Sequence, residues 1–145
     1  MASNDLASIE RRVVSCVSKK REIHAAYVFG SVMSGRTRRD SDVDIAVLLD
    51  DRMTPSRRFQ YRLKLMAELG FALHRSDIDL VILNEASPLL AHRVLSKGNL
   101  VYEGSASARI RFQVMTANRY ADLVPAYETH IRYLKKSVKE GRIIG

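Results

Sequence analysis

The stretch that most constrains this chain runs from Gly30 to Asp44, GSVMSGRTRRDSDVD. An apolar run, Ala25 to Phe29, stops at Gly30-Ser31, and Gly35 follows four residues after Ser31. Ser41, Asp42 and Asp44 then open a second apolar run, Ile45 to Leu49. Small residues at the end of a strand predict a turn whose backbone N–H groups face outward, and such turns bind phosphates. Strand alternation puts Asp42 and Asp44 on one face and Val43 on the other. Two carboxylates on one face repel each other unless one is protonated or a cation sits between them. A phosphate cradle beside a dicarboxylate therefore points to a magnesium-nucleotide site. The plainer alternative is a glycine turn followed by a solvated acidic strand start.

A third carboxylate comes from Ser76 to Asn84, SDIDLVILN. Asp79 stands just before an apolar stretch, as Asp44 stands before Ile45. Asp77 shares its parity but reads as a loop residue. A strand is expected over Ile78 to Leu83. Alone, an aspartate at a strand start is usually structural; here it completes the set that a two-metal site requires.

The remaining segments supply a frame. Residues 5 to 21 predict a helix, with Leu6, Ile9, Val13, Cys16 and Val17 on one face and Asn4 or Asp5 as cap. Strands are expected at Ala25–Phe29 and Val43–Leu49, the first apolar throughout, as for a strand covered on both faces. Thr54-Pro55 opens a helix to about Leu73, with Phe59, Leu63, Met66, Ala67 and Gly70 as its expected inner stripe. Arg57, Arg58, Arg62 and Lys64 are expected at a solvated surface. Ser87 caps a helix from Pro88 to Ser96, and Leu100 to Tyr102 forms a short edge strand.

From Ala106 the chain reads as helical, with Ile110, Val114, Ala117 and Ala121 on one face. Pro125 is expected to break or kink it. Beyond lie Tyr127, Ile131, Leu134 and Val138 opposite Arg132, Lys135, Lys136 and Lys139, a tail that can close the core or dock a partner. The expected fold is α/β of the α+β kind: a small mixed sheet flanked by helices, with a helical C-terminal segment. Residues 1–105 form the core and 106–145 the helical segment of the same single domain.

Charge narrows the partners. The chain carries a net +8 and 46% hydrophobic residues, a composition that fits a globular domain with a preference for polyanions. No apolar run approaches the roughly 20 residues of a membrane helix, and the N-terminus has no apolar signal core, so a cytoplasmic location is expected. The single cysteine, Cys16, excludes an internal disulfide and reads as a small helix hydrophobe. The four histidines are dispersed and read as structural or surface residues. Magnesium prefers the carboxylates. Stacking aromatics and a helix-turn-helix pattern are not evident, which argues against nucleic acid as the partner.

These residues carry a resemblance. Gly30-Ser31, Gly35 and Ser41-Asp42-Val43-Asp44-Ile45 resemble the nucleotidyltransferase signature of the DNA polymerase beta superfamily. Asp79-Leu80-Val81 resembles its third carboxylate motif. The short length resembles the minimal nucleotidyltransferases, the MntA-like antitoxins, and LLAHRVLSKGNLVYEG and the tail resemble that group less specifically.

The resemblance implies a polymerase-beta-like fold in which Gly30 and Ser31 hold the nucleotide triphosphate, with Gly35 and Ser41 as further nucleotide-binding residues of the same signature. Arg36, Arg38 and Arg39 of the loop read either as ordinary solvated cations or as a source of one or two guanidinium contacts to the phosphates, with Arg39 the nucleotide-binding candidate. Asp42, Asp44 and Asp79 would be the catalytic and metal-binding residues for two Mg²⁺ ions. Such ions, about 3.5–4 Å apart, serve the attacking and leaving oxygens of an in-line displacement. It further implies AMP transfer from ATP to a tyrosine hydroxyl of a HEPN-type ribonuclease toxin in a hetero-oligomer. The alternatives are a non-catalytic antitoxin that blocks the toxin by contact, and a nucleotidyltransferase acting on a small molecule.

Overall fold

The structure, a computed structural model, describes residues 5–30 and 42–141. The first helix, α1 (Leu6–Val17), begins where the Asp5 carboxylate accepts the Ser8 N–H at 2.7 Å. Strand β1 (Ile23–Phe29) follows, then β2 (Val43–Leu49), and both are buried almost throughout, as their apolar sequences require. Helix α2 (Pro55–Leu73) starts at Thr54-Pro55, with Thr54 accepting from the Arg57 N–H. Strand β3 (Ile78–Ile82) ends in a 3-10 turn over Leu83–Glu85, so the expected strand stops one residue early. Helix α3 (Pro88–Lys97), capped by Ser87, leads into β4 (Asn99–Glu103), and α4 (Ala106–Lys139) closes the chain.

The sheet order is β3-β2-β1-β4. β1 runs antiparallel to β2 and to β4, while β2 and β3 run parallel, joined through α2. The sheet is mixed, and β4 is an edge strand, both as expected. One face carries α1 and α2: Ile9, Val13, Val17, Leu65, Leu69 and Leu73 pack on Ala26, Val28, Ile45 and Val47. The other carries α3 and α4: Ala91, Val94 and Phe112 pack on Ala25, Tyr27, Ala46 and Leu48. His92 of α3 stacks on Tyr120 of α4, with ring centroids 3.6 Å apart. Cys16 packs against the first cluster, as the sequence predicts.

In α4, Ala108, Phe112 and Thr116 face inward, and Ile110 and Val114 lie on an exposed face. Three expectations are corrected. The inner stripe of α2 is Leu65, Leu69 and Leu73, not the stripe headed by Phe59 and Leu63, which are 59% and 51% exposed. Pro125 does not break α4, which runs for 34 residues through it. The helix continues on both sides of a residue that removes one intrahelical hydrogen bond and crowds the carbonyl four residues back; Thr129 Oγ1 donates to the Pro125 carbonyl at 2.9 Å. Lastly, Arg58 and Arg62 are not merely solvated. Arg62 Nε donates to the Leu80 carbonyl on edge strand β3, and Arg58 donates to the Met53 carbonyl and pairs with Glu85.

Candidate active site

The acidic corner is assembled by register. β2 and β3 start side by side, and Asp44 stands directly opposite Asp79 in their parallel ladder. Asp44 has the parity of Ala46 and Leu48, and Asp79 that of Val81, so both belong to the sheet face that α3 and α4 cover. On its other side Asp44 pairs with Phe29, the last residue of β1. Asp42 lies two residues before Asp44, at the end of the described loop boundary, and is exposed. Asp44 is half-buried and Asp79 exposed.

Gly30 touches this corner directly. It takes φ +83°, a backbone conformation that side chains resist. A Cβ added there would run into the Asp44 carboxylate. The chain thus leaves β1 by folding a bare Cα over an aspartate, and only glycine permits both the turn and the contact. Ser31, Gly35, Arg39 and Ser41, expected on the nucleotide, lie outside the described residues, as do Arg36 and Arg38.

Electrostatics single out Asp44. Burial pushes its carboxyl up to about 6, and the neighbouring charges of Asp79 and Asp42 push in the same direction. Arg93, an exposed residue of α3, partly offsets them. Sequence reading missed Arg93; its only signal is a cation within an otherwise apolar helical stretch, LLAHRVL. Asp77, by contrast, is held below the usual carboxylate range by hydrogen bonds from Arg75 at 2.8 and 2.6 Å. Its backbone carbonyl accepts from the Val43 N–H, which fixes the loop role expected of it.

The donor set suits a hard divalent cation. The three carboxylates offer oxygen alone, and their mutual repulsion is the excess negative charge that Mg²⁺ would neutralise. Among the described residues, no three acidic, histidine or cysteine side chains are already gathered into a cage.

The strand order and the acidic corner define a class, the nucleotidyltransferases. Residues 11–107 match the profile described as Polymerase beta, Nucleotidyltransferase, and the chain belongs to that family. It is 34% identical over 102 residues to the protein adenylyltransferase MntA of Shewanella oneidensis, covering 70% of this chain and 69% of the relative. Among solved structures it resembles a chain of a toxin–antitoxin crystallised with AMP-PNP. The TM-score is 0.71 at 28% identity, over 87% of this chain and 98% of the other. It also resembles a chain of the tri-AMPylated Shewanella oneidensis HEPN toxin in complex with its MNT antitoxin. There the TM-score is 0.66 at 26% identity, over 88% and 96% of the two chains.

Proposed function

We propose that this chain is a Mg²⁺-dependent adenylyltransferase antitoxin that moves AMP from ATP to a tyrosine hydroxyl of a HEPN ribonuclease toxin. One observation carries the reading: Asp44 and Asp79 stand opposite each other beside the left-handed Gly30, and Asp44 is raised by burial first and by the neighbouring aspartates second. The adenylyltransferase relative, the AMP-PNP complex and the AMPylated toxin complex support the choice of nucleotide and acceptor.

Asp42, Asp44 and Asp79 would hold the cation. Bound there, Mg²⁺ would supply charge neutralisation at the phosphates and at the attacking and leaving oxygens. Gly30, with Ser31, would receive the triphosphate on backbone N–H groups. Arg39 and Ser41 would contact the same phosphates, with Gly35 shaping the loop. Asp79, the more exposed of the opposed pair, would share the cation and help take the proton of the incoming tyrosine hydroxyl. The tyrosine oxygen then bonds to the α-phosphorus, the bond from that phosphorus to the bridging oxygen breaks, and pyrophosphate leaves. The proposed setting is the cytoplasm, in a hetero-oligomer with the toxin.

The test is incubation of the protein with α-labelled ATP, Mg²⁺ and the product of the neighbouring open reading frame. Label should appear on a tyrosine of that partner, and Asp79→Ala should abolish it. An unlabelled partner, with toxin still neutralised by the Asp79→Ala variant, would convert the reading to a contact-blocking antitoxin. Label on an added small molecule instead would redirect it to that substrate class.

A further inference from the structure

A second polar cleft lies at the opposite end of the sheet. His24 opens β1 where Gly30 closes it, and Leu48 and Leu49 end β2 where Asp44 begins it. Four to five strand residues separate the two ends, roughly 15 Å. The cleft encloses about 420 Å³, within the usual range for a ligand site. Its floor is apolar, from Leu48, Leu49, Phe112 and Met115. Arginines from two helices reach its wall: Arg58 from α2, Arg111 and Arg119 from α4.

The charge there is poorly compensated. Asp51 is the single acid of the lining among the described residues. Arg58 has Glu85 at 3.5 Å, yet its buried Nε makes no hydrogen bond. Arg111 and Arg119 have no ion-pair partner among the described residues. Elsewhere, arginines close to acids are tied down, as in Arg52–Asp50, Arg75–Asp77 and Arg109–Glu103. Arg111, Met115 and Arg119 follow at four-residue steps on one helix face, so the backbone rises about 12 Å between the two arginines, a gap that two long side chains can close on one anion. Guanidinium groups beside an apolar floor match a ligand with one anionic and one ring-bearing end. Guanidinium pairs phosphate oxygens in a fork, and an apolar floor takes a flat heterocycle.

We infer that this cleft is a second ligand site, distinct from the acidic corner, and that it takes a phosphorylated small molecule of mononucleotide type. The inference does not depend on which acceptor the enzyme modifies. Because the acidic corner requires a divalent cation, the two sites separate in the presence of a chelator.

The test follows Met115 with methyl-¹³C methionine in the full chain, with EDTA present. AMP, inorganic phosphate and adenosine are titrated separately. AMP should move the Met115 methyl resonance to saturation in the millimolar range or below, at least about tenfold more tightly than either fragment. Arg111→Gln/Arg119→Gln should weaken AMP by about tenfold or more while leaving the melting temperature unchanged, since both side chains are exposed and unpaired. A Met115 resonance that ignores AMP at about 10 mM, or that moves equally in the double variant, overturns the inference. Movement with adenosine alone, equal to that with AMP, also overturns it, because the arginines then recognise nothing.

Discussion

Asp44 and Asp50 sit at the two ends of the same strand, and they titrate in opposite directions. Asp50 follows β2 and is held low by Arg52, which donates from its side chain and its backbone to the carboxylate. Asp44 lies within β2 and is raised to about 6 by burial and by two further aspartates. The neighbourhood of Asp50 is closed in the same manner: Asn84 both accepts from the Leu49 N–H and donates to its carbonyl, at 2.9 and 2.8 Å. One end of the strand has its polar groups answered within the chain. At the other, Asp44 feels the charges of Asp79 and Asp42 and is partly offset by Arg93, while Arg75 acts on Asp42. Folding alone gains nothing from such repulsion, which makes that end the candidate site for an external cation and substrate.

The largest expected effect breaks the comparison directly. Asp44→Asn should lower nucleotide transfer by about 10³-fold or more, the scale of losing a group that stabilises transition-state charge. Asp50→Asn should leave the rate within about twofold, because its partner is structural. Radiolabel transfer by the two variants, with circular dichroism as the fold control, makes the measurement. Next comes Gly30→Ala. It forces a side chain into a left-handed conformation, costing about 1–3 kcal/mol, and it displaces Asp44 as well. Stability and transfer should therefore fall together in denaturant and rate measurements. Asn84→Ala should remove about 1–3 kcal/mol through two unanswered backbone groups while sparing the rate per folded molecule.

The pH dependence is smaller. Asp44 binds its proton more tightly folded than unfolded, with the value raised from 3.8 to about 6. The native state therefore holds more protons across this window. This group's contribution is complete below the unfolded value and is lost as pH rises through about 6. Without divalent metal, the melting temperature of wild type should show that decline relative to Asp44→Asn between pH 4 and pH 7, a comparison read by calorimetry. Asp50 has the reverse sign: its stabilisation is present above the ordinary carboxylate value and fades as acid protonates it. The smallest effect is Arg52→Ala at neutral pH, where an exposed ion pair should leave the melting temperature unchanged within error.

Much of this contrast is legible in the sequence. The Gly30 turn and the aspartates at Asp44 and Asp79 stand out because a short run of apolar residues follows each acid, which fixes both strand and parity. Capping chemistry located the starts of α2 and α3, since Thr54-Pro55 and Ser87-Pro88 are strong local signals. The inward faces were harder. Helix α2 carries two apolar rows, one through Phe59 and Leu63 and one through Leu65, Leu69 and Leu73. Periodicity detects both and cannot say which meets the sheet. The places of Arg58 and Arg62 are hidden for a related reason: each donates to a backbone carbonyl, which leaves no trace in residue type, and the Glu85 beside Arg58 is distant in sequence. Arg93 was invisible because its relation to Asp44 exists only after α3 crosses the sheet.

The opposition of Asp44 and Asp79 across a parallel ladder is locked by the interior. Side chains alternate with a period of two along each strand, so a one-residue slip of β3 along β2 would carry Asp79 to the far face only by taking Ile78, Leu80 and Ile82 out of the core as well. A length change between Leu73 and Ile78 is therefore taken up by the loop and not by the strand.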